Sequence, residues 1–304
     1  MTDTTISRLK DFVGEEVRIS GWLYNKRSSG KIKFLLVRDG TGLVQSVMVK
    51  AELAPEVFEI FGELTQESSL KITGTVREEP RSAGGYELTV TNIEPVQIAE
   101  PYPITKKEHG VEFLHNHRHL WLRSSRQYAI MKIRDQIIWS IREFYHNRKF
   151  TLIDSPILTG AIGEEAGTLF ATKYFKLGNA YLAQTGQLYI EAACMALKDV
   201  YCFGPTFRAE KSLTRRHLTE FWMVEAEMAY CDSEGSMKNQ EEMITYMVKA
   251  VLKNCKKELE TLERDISKLE AIETPFPRVD YSDAIKILQE KGSKVQWGDD
   301  LGAE

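Results

Sequence analysis

FRAEKSLTRRHLTEFWMVEAE, from Phe207 to Glu227, decides the fold of this chain. Its first half gathers Arg208, Glu210, Lys211, Arg215, Arg216 and His217 within ten residues. Its second half, Phe221 to Glu227, runs from apolar into alternating acidic positions. Alternation with a period of two gives a strand two different faces. Val200–Phe207 reads as a strand entering the basic stretch and Val224–Ala229 as its antiparallel partner. A cationic loop between two strands can grip a polyphosphate, and arginine suits that task because its planar fork donates two parallel hydrogen bonds to phosphate oxygens.

Working upstream, Leu188–Leu197 reads as a helix, with Tyr174–Phe175 and Tyr181–Leu188 as strands flanking a Gly-Asn turn. From Ser124 to Lys149 the period becomes helical, with Ile130, Ile133, Ile137, Ile141 and Phe144 forming one apolar stripe behind a Ser124 or Ser125 cap. Downstream, Ser236–Leu269 reads as a long amphipathic helical stretch and Asp280–Gln289 as a short helix. Residues 1–100 read as strands: EVRISGWLYNKR, KIKFLLVRDGTGLVQSVMV, LKITGTVREEP and GYELTVTNIEPV, with a helix near Pro55–Leu64. Five short strands with one intervening helix suit an OB-fold barrel. Pro101 and Pro103 interrupt regular structure, so 101–118 reads as a linker.

The remaining features bound the function. No apolar run approaches the ~20 residues that span a bilayer, and MTDTTISRLKDF lacks the apolar core of a secretory signal. Cys194, Cys202, Cys231 and Cys255 form no CxxC pair, which excludes a zinc ribbon and suggests a reducing cytoplasm. The net charge of −4 argues against a general nucleic-acid coat, yet Asn25, Lys26, Arg27, Lys31 and Lys33 make a local basic patch. His115, His117 and His119 could aim together on a strand, but apart from Glu112 they lack partners at ligand spacing, so no metal site is assigned.

Several segments together resemble the class II aminoacyl-tRNA synthetases, in their aspartyl/asparaginyl branch. FRAE, RRHLTEFW and the EAE ending resemble motif 2 of that family. FTLIDSPILTG resembles motif 1, with its proline at Pro156, and HRHLWLRS resembles the start of the catalytic domain. GEEAGTLF and LAQTGQLYIE resemble its amino-acid-binding segments, and GKIKFLLVRDGTGLVQSVM its anticodon-binding OB-fold. The similarity runs from about Val17 to the last residue. It implies an α+β chain with an OB-fold over 1–100, a linker over 101–118 and a class II catalytic domain over 119–304, an antiparallel sheet flanked by helices. Two departures stand out. The glycine-rich motif 3 ending in Glu-Arg is not present, so the expectation is a chain that stops before it and is weak or inactive alone. Glu164 is followed by Glu165 where the family has Gly, which leaves the role of Glu165 open.

The resemblance implies ATP-dependent ligation of an amino acid to tRNA through an aminoacyl-adenylate, with magnesium on the phosphates. It assigns Arg208 to the α-phosphate and the substrate carboxylate, and Glu210 to the adenine side of ATP. Arg216, His217 and Leu218 fall in the loop that grips the nucleotide, and Phe221 matches the residue that stacks on adenine. Glu164 matches the residue that meets the α-ammonium, and Gln187 a substrate-binding glutamine. Arg27, Phe34 and Gln45 fall where the OB-fold reads the anticodon, although Phe34 also fits the barrel core. The helix after Ser124 is implied to join two copies into a homodimer.

Two positions separate asparagine from aspartate as the substrate. A carboxylate at Glu225 accepts from an amide NH₂ and repels a second carboxylate. Ile190 stands where aspartyl relatives carry a lysine, so an aspartate would bury an unpaired charge. The expected partners are therefore ATP, L-asparagine and tRNA(Asn). The rival readings are an aspartyl enzyme, or a tRNA-binding paralogue without catalysis. The role of Glu227 stays open between a supporting residue behind the site and one that faces magnesium.

Overall fold

The computed structural model describes residues 2–105, 107–160, 163, 169–210 and 217–301. The chain divides into two units, 1–121 and 122–304.

The first unit is a barrel. A short strand β1 (Thr2–Asp3) and a 3-10 helix (Ile6–Phe12) precede β2 (Glu16–Ser29), β3 (Ile32–Arg38) and β4 (Leu43–Val49). Helix α1 (Pro55–Glu63), β5 (Ser69–Glu78) and β6 (Tyr86–Gln97) follow. The ladder runs β2-β3-β4-β6-β5 and closes by pairing β5 to β2, which leaves these strands without a free edge. This five-strand circuit, with its helix between the third and fourth strands, is the OB-fold. Alternation fills it: Val17, Ile19, Leu23, Leu35, Val37, Val44 and Met48 are buried in one cluster. Phe34 and Gln45 lie on the opposite faces of their strands and stay half-exposed. Arg38 and Glu67 form a largely buried ion pair in this unit, where the two terminal guanidinium nitrogens donate to the carboxylate at 3.1 and 2.9 Å.

Helices α2 (Val111–Asn116) and α3 (Arg118–Trp121) follow, so the stretch read as linker is partly helical. His115 and His119 lie on separate helices and His117 between them. Among the described residues, no group of three His, Cys, Asp or Glu could hold a metal ion.

The second unit opens on α4 (Ser125–Asn147), whose Ser124 hydroxyl caps the first turn by accepting from the Gln127 N–H at 3.3 Å. Strands β7 (Thr151–Leu152), β8 (Leu158–Thr159), β9 (Ala171–Lys173) and β10 (Asn179–Leu182) lead to α5 (Gln187–Leu197). Then come β11 (Asp199–Phe207), β12 (Glu220–Met228), α6 (Ser233–Asn254), α7 (Lys256–Thr261), α8 (Ser267–Glu270) and α9 (Tyr281–Glu290). Strands β11 and β12 pair antiparallel along their whole length, and β7 joins β11 in parallel.

Both faces of β11 are covered. Tyr201 and Phe203 pack with Ile141, Phe144 and Tyr145 of α4 and with Met243 and Met247 of α6. Val200 and Cys202 face the other way, onto Ile190 and Cys194 of α5. Period two thus assigns odd positions to one helical layer and even positions to the other.

Two expectations are corrected here. Tyr174 and Phe175 form a turn rather than a strand, closed by the Tyr174 N–H donating to the Gly178 carbonyl at 2.9 Å, with Phe175 at φ 51°. The strand lies just before it, at β9. The long helical stretch from Ser236 breaks into α6, α7 and α8: Cys255, at φ −119° and ψ 34°, ends α6, and residues 262–266 join α7 to α8 outside either helix. Arg208 and Glu210 lie beyond the end of β11. No helix among the described residues is long and apolar enough to cross a membrane.

Candidate functional site

The β11–β12 register places Cys202 directly opposite Glu225. Both side chains therefore project to the α5 side of the sheet. Helix α5 begins there, and its first backbone donor meets the carboxylate: the Gly186 N–H donates to Glu225 Oε2 at 2.8 Å. The Thr185 hydroxyl donates to Oε1 in a short contact, and the Cys202 thiol lies 3.4 Å from Oε2. A helix N-terminus carries partial positive charge, which favours an anion at this point.

These residues wall a cleft of about 190 Å³. Ser155, Pro156 and Ile157 after β7 form one side, and Phe203, Thr206 and Trp222 of the hairpin another. Arg142 reaches it from α4. The Phe203 and Trp222 rings meet edge-on at 5.5 Å. The cleft offers two carboxylates, Asp154 and Glu225, one guanidinium, small hydroxyls and aromatic walls, a set suited to a small zwitterionic guest.

Burial controls the thiol. Desolvation first, and the adjacent Glu225 charge second, push the Cys202 thiol up to about 12. It is therefore a neutral donor rather than a nucleophile at physiological pH. Glu227, two positions along β12, also has its carboxyl pushed up, by burial and then by the charges of Glu191 and Glu225.

The nucleotide residues lie at the open end of the hairpin. The Arg208 N–H donates to the Thr219 carbonyl at 3.0 Å, which extends the strand pairing by one step. The Arg208 guanidinium carbon sits 5.6 Å from the centre of the Phe221 ring, so these two are brought together. Phe221 is half-buried, while Glu210, His217 and Leu218 are exposed. Arg216 and Glu164 lie outside the described residues, as do Lys211, Arg215 and Glu165.

Gln187 is not brought into the cleft. It sits exposed on the first turn of α5, where its side-chain amide donates to Glu191 Oε1 at 2.9 Å. Ile190 is fully buried against Cys194, Val200 and Cys202.

Arg27, Phe34 and Gln45 form one surface group on the barrel. The Arg27 side chain lies over Phe34, donates to Gln45 Oε1 at 3.1 Å, and Gln45 donates in turn to Glu87 Oε2 at 3.2 Å. Phe34 takes no place in the barrel core cluster.

Sequence reasoning missed Thr185, Cys202, Trp222 and Arg142. The pair Thr185-Gly186 carried a signal, a helix start behind a hydroxyl residue. Cys202 and Arg142 carried none, because only the cross-strand register and the path of α4 bring them to the cleft.

Comparison with known proteins gives a consistent picture. Residues 110–300 match the family model described as tRNA synthetases class II (D, K and N), and 17–96 match that of the OB-fold nucleic acid binding domain. The chain is 58% identical over 303 residues to the asparagine--tRNA ligase of Desulforamulus reducens, covering all of this chain and 70% of that protein. It is 55% identical, with the same coverage, to the asparagine--tRNA ligase of Pelotomaculum thermopropionicum. Among solved structures, asparaginyl-tRNA synthetase from Pyrococcus horikoshii complexed with asparaginyl-adenylate superposes with a TM-score of 0.92 at 43% identity, over 96% of this chain and 68% of that one.

Proposed function

The chain belongs to the class II aminoacyl-tRNA synthetases, in the group that serves aspartate, lysine and asparagine, and from that premise we infer that it joins L-asparagine to tRNA(Asn) with ATP. The reaction has two steps. The asparagine carboxylate attacks the α-phosphate of ATP, giving asparaginyl-adenylate and pyrophosphate. The terminal ribose of tRNA then attacks the acyl carbon and AMP leaves. Neither step needs a protein nucleophile, so the protein's part is to position the reactants and stabilise charge.

The observation that carries the asparagine reading is the Glu225 carboxylate in the cleft wall, with Ile190 sealed in the core behind it. An acceptor there pairs with the NH₂ of a side-chain amide. An aspartate would face it with a second negative charge and with no lysine at 190.

The remaining roles follow from the same assignment. Arg208 stabilises the charge that builds on the α-phosphate, and Phe221 stacks on adenine beside it. Glu210 receives the adenine amine, and Arg216, His217 and Leu218 enclose the terminal phosphates. Glu164 pairs with the α-ammonium and Gln187 contacts the bound amino acid, turning from Glu191 to do so. Magnesium bound to ATP would neutralise charge on its phosphates. On the barrel, Arg27, Phe34 and Gln45 read anticodon bases by stacking and hydrogen bonding.

A homodimer through α4 completes the assignment. Trp139 and Met131 on this helix are 63% and 46% exposed, an apolar surface that a second copy would cover. A cytoplasmic site of action suits an enzyme with four free cysteines.

The test is pyrophosphate exchange with each amino acid. Exchange that depends on L-asparagine and not on L-aspartate is expected. Equal use of aspartate would overturn the substrate, and absence of exchange with either would favour the non-catalytic paralogue.

A further inference from the structure

Glu225 is an acceptor with a limited number of places. A carboxylate offers about four lone-pair sites. Thr185 occupies one on Oε1, while the Gly186 N–H and the Cys202 thiol occupy two on Oε2. That leaves one site, on Oε1, in the wall of the cleft.

We propose that Thr185 and Cys202 are positioning residues that set the choice between amide and carboxylate at the amino-acid pocket. They fill the other acceptor sites of Glu225 and so fix where its last lone pair meets the ligand. This rests on the proposed function, and it adds residues that touch Glu225 rather than the reacting atoms.

Three features of the fold support it. Cys202 and Glu225 are register partners on neighbouring strands, so the sheet itself holds the thiol beside Oε2. The thiol is kept neutral by burial and by the carboxylate it faces, which preserves it as a donor. Thr185 serves two groups: its oxygen accepts from the Gln187 N–H at 3.0 Å while its hydroxyl proton goes to Glu225. The same side chain therefore ties the first turn of α5 to the carboxylate. If Thr185 or Cys202 lost its donor, Oε1 or Oε2 would regain a free site and the carboxylate could turn. The amide would then have no single partner direction, and a ligand carboxylate could enter with a bridging water.

The experiment compares affinities for two non-hydrolysable adenylate analogues, asparaginyl- and aspartyl-sulfamoyl adenosine, by calorimetry. The wild-type chain is expected to prefer the asparaginyl analogue. Cys202→Ala and Thr185→Val should each cut that preference about tenfold, the scale of one hydrogen bond to a charged group. Cys202→Ser and Thr185→Ser, which keep a donor, should stay within about threefold of wild type on the same scale. A merely structural role would weaken both analogues equally and leave the ratio unmoved. If the alanine and valine variants keep the wild-type ratio, the proposal is overturned while the asparagine assignment stands. If the wild-type chain binds both analogues equally, the asparagine assignment itself has failed and the positioning role falls with it. Thr185→Val is isosteric with threonine and removes the donor, so its ratio decides the proposal even if Cys202→Ala does not fold.

Discussion

The guanidinium carbon of Arg27 sits 3.8 Å from the centre of the Phe34 ring, on the outside of the barrel. One face of the ring is thus already stacked, and Gln45 holds the arginine there. A nucleobase arriving at Phe34 must take the place of a cation–π partner worth ~0.5–1 kcal/mol at an exposed site. Base–aromatic stacking is worth ~1–3 kcal/mol, so the exchange favours the base. Phe34→Ala should therefore weaken tRNA(Asn) binding by about 1–3 kcal/mol, while Phe34→Trp keeps the stacking surface and should hold it. Filter binding with full-length tRNA measures both. Unchanged affinity in Phe34→Ala would mean that the ring serves only as a seat for Arg27.

Gly186 is required by what surrounds it. A Cβ at this position would lie 2.6 Å from Cys202 Sγ, 2.9 Å from Ser155 Oγ and 3.2 Å from Glu225 Oε2. Those neighbours are the cleft wall, so a methyl group there pushes apart the groups that hold the carboxylate. Gly186→Ala should lower stability by about 1–3 kcal/mol, the usual range for overpacking. It should also weaken asparaginyl-adenylate analogue binding, because the Gly186 N–H can no longer reach Glu225 at its present distance. Thermal unfolding and calorimetry check the two effects. A stable variant with full affinity would show that this wall is soft.

Cys202 makes stability depend on alkaline pH. Its folded thiol is pushed up to about 12 from the ordinary 9.0. Above pH 9.0 the unfolded thiol ionises while the folded one stays protonated, so the folded state binds more protons there. Stability from this group is complete below that pH and is lost as pH rises towards the folded value, at up to about 1.4 kcal/mol per pH unit. Cys202→Ser should flatten the decline between about pH 9 and 11 in a urea titration. An identical decline in the variant would assign the alkaline sensitivity to other groups. By the same reasoning a thiol reagent should modify the exposed Cys231 before Cys202.

The barrel was legible because its first strands alternate over most of their length and its turns carry glycine. The hairpin of β11 and β12 was legible for the same reason, together with its unusual density of arginine. The break of α6 from α7 was not, because the apolar spacing from Met243 through Leu259 runs on in phase while a single non-helical residue, Cys255, divides the helices. Phe175 in a left-handed turn was also invisible, since an aromatic pair beside a Gly-Asn turn reads as strand. At the site, Glu225 and Arg208 stood out by charge and spacing. The cradle around Glu225 did not, because it is assembled by register across β11 and β12 and by the start of α5, residues distant in sequence. Burial of Ile190 follows the helix period, whereas the turning of Gln187 towards Glu191 is a four-residue helical pairing that the resemblance to a substrate contact concealed.

Glu227 carries a stability cost on the same strand. Burial, then the charges of Glu191 and Glu225, raise its carboxyl above the ordinary 4.5. Between that value and its folded one, the folded state keeps a proton that the unfolded state has released. The favourable contribution is therefore complete below pH 4.5 and is lost as pH rises through the folded value. The ionised form of Glu227 faces the charges of Glu191 and Glu225, and Glu227→Gln removes that repulsion while keeping the side chain's shape. The variant should melt higher than wild type at about pH 7, and the difference should shrink as pH approaches about 4. The opposite trend, a variant less stable at neutral pH than in acid, would mean that Glu227 makes a favourable contact as a carboxylate and that its ionised form belongs to the site.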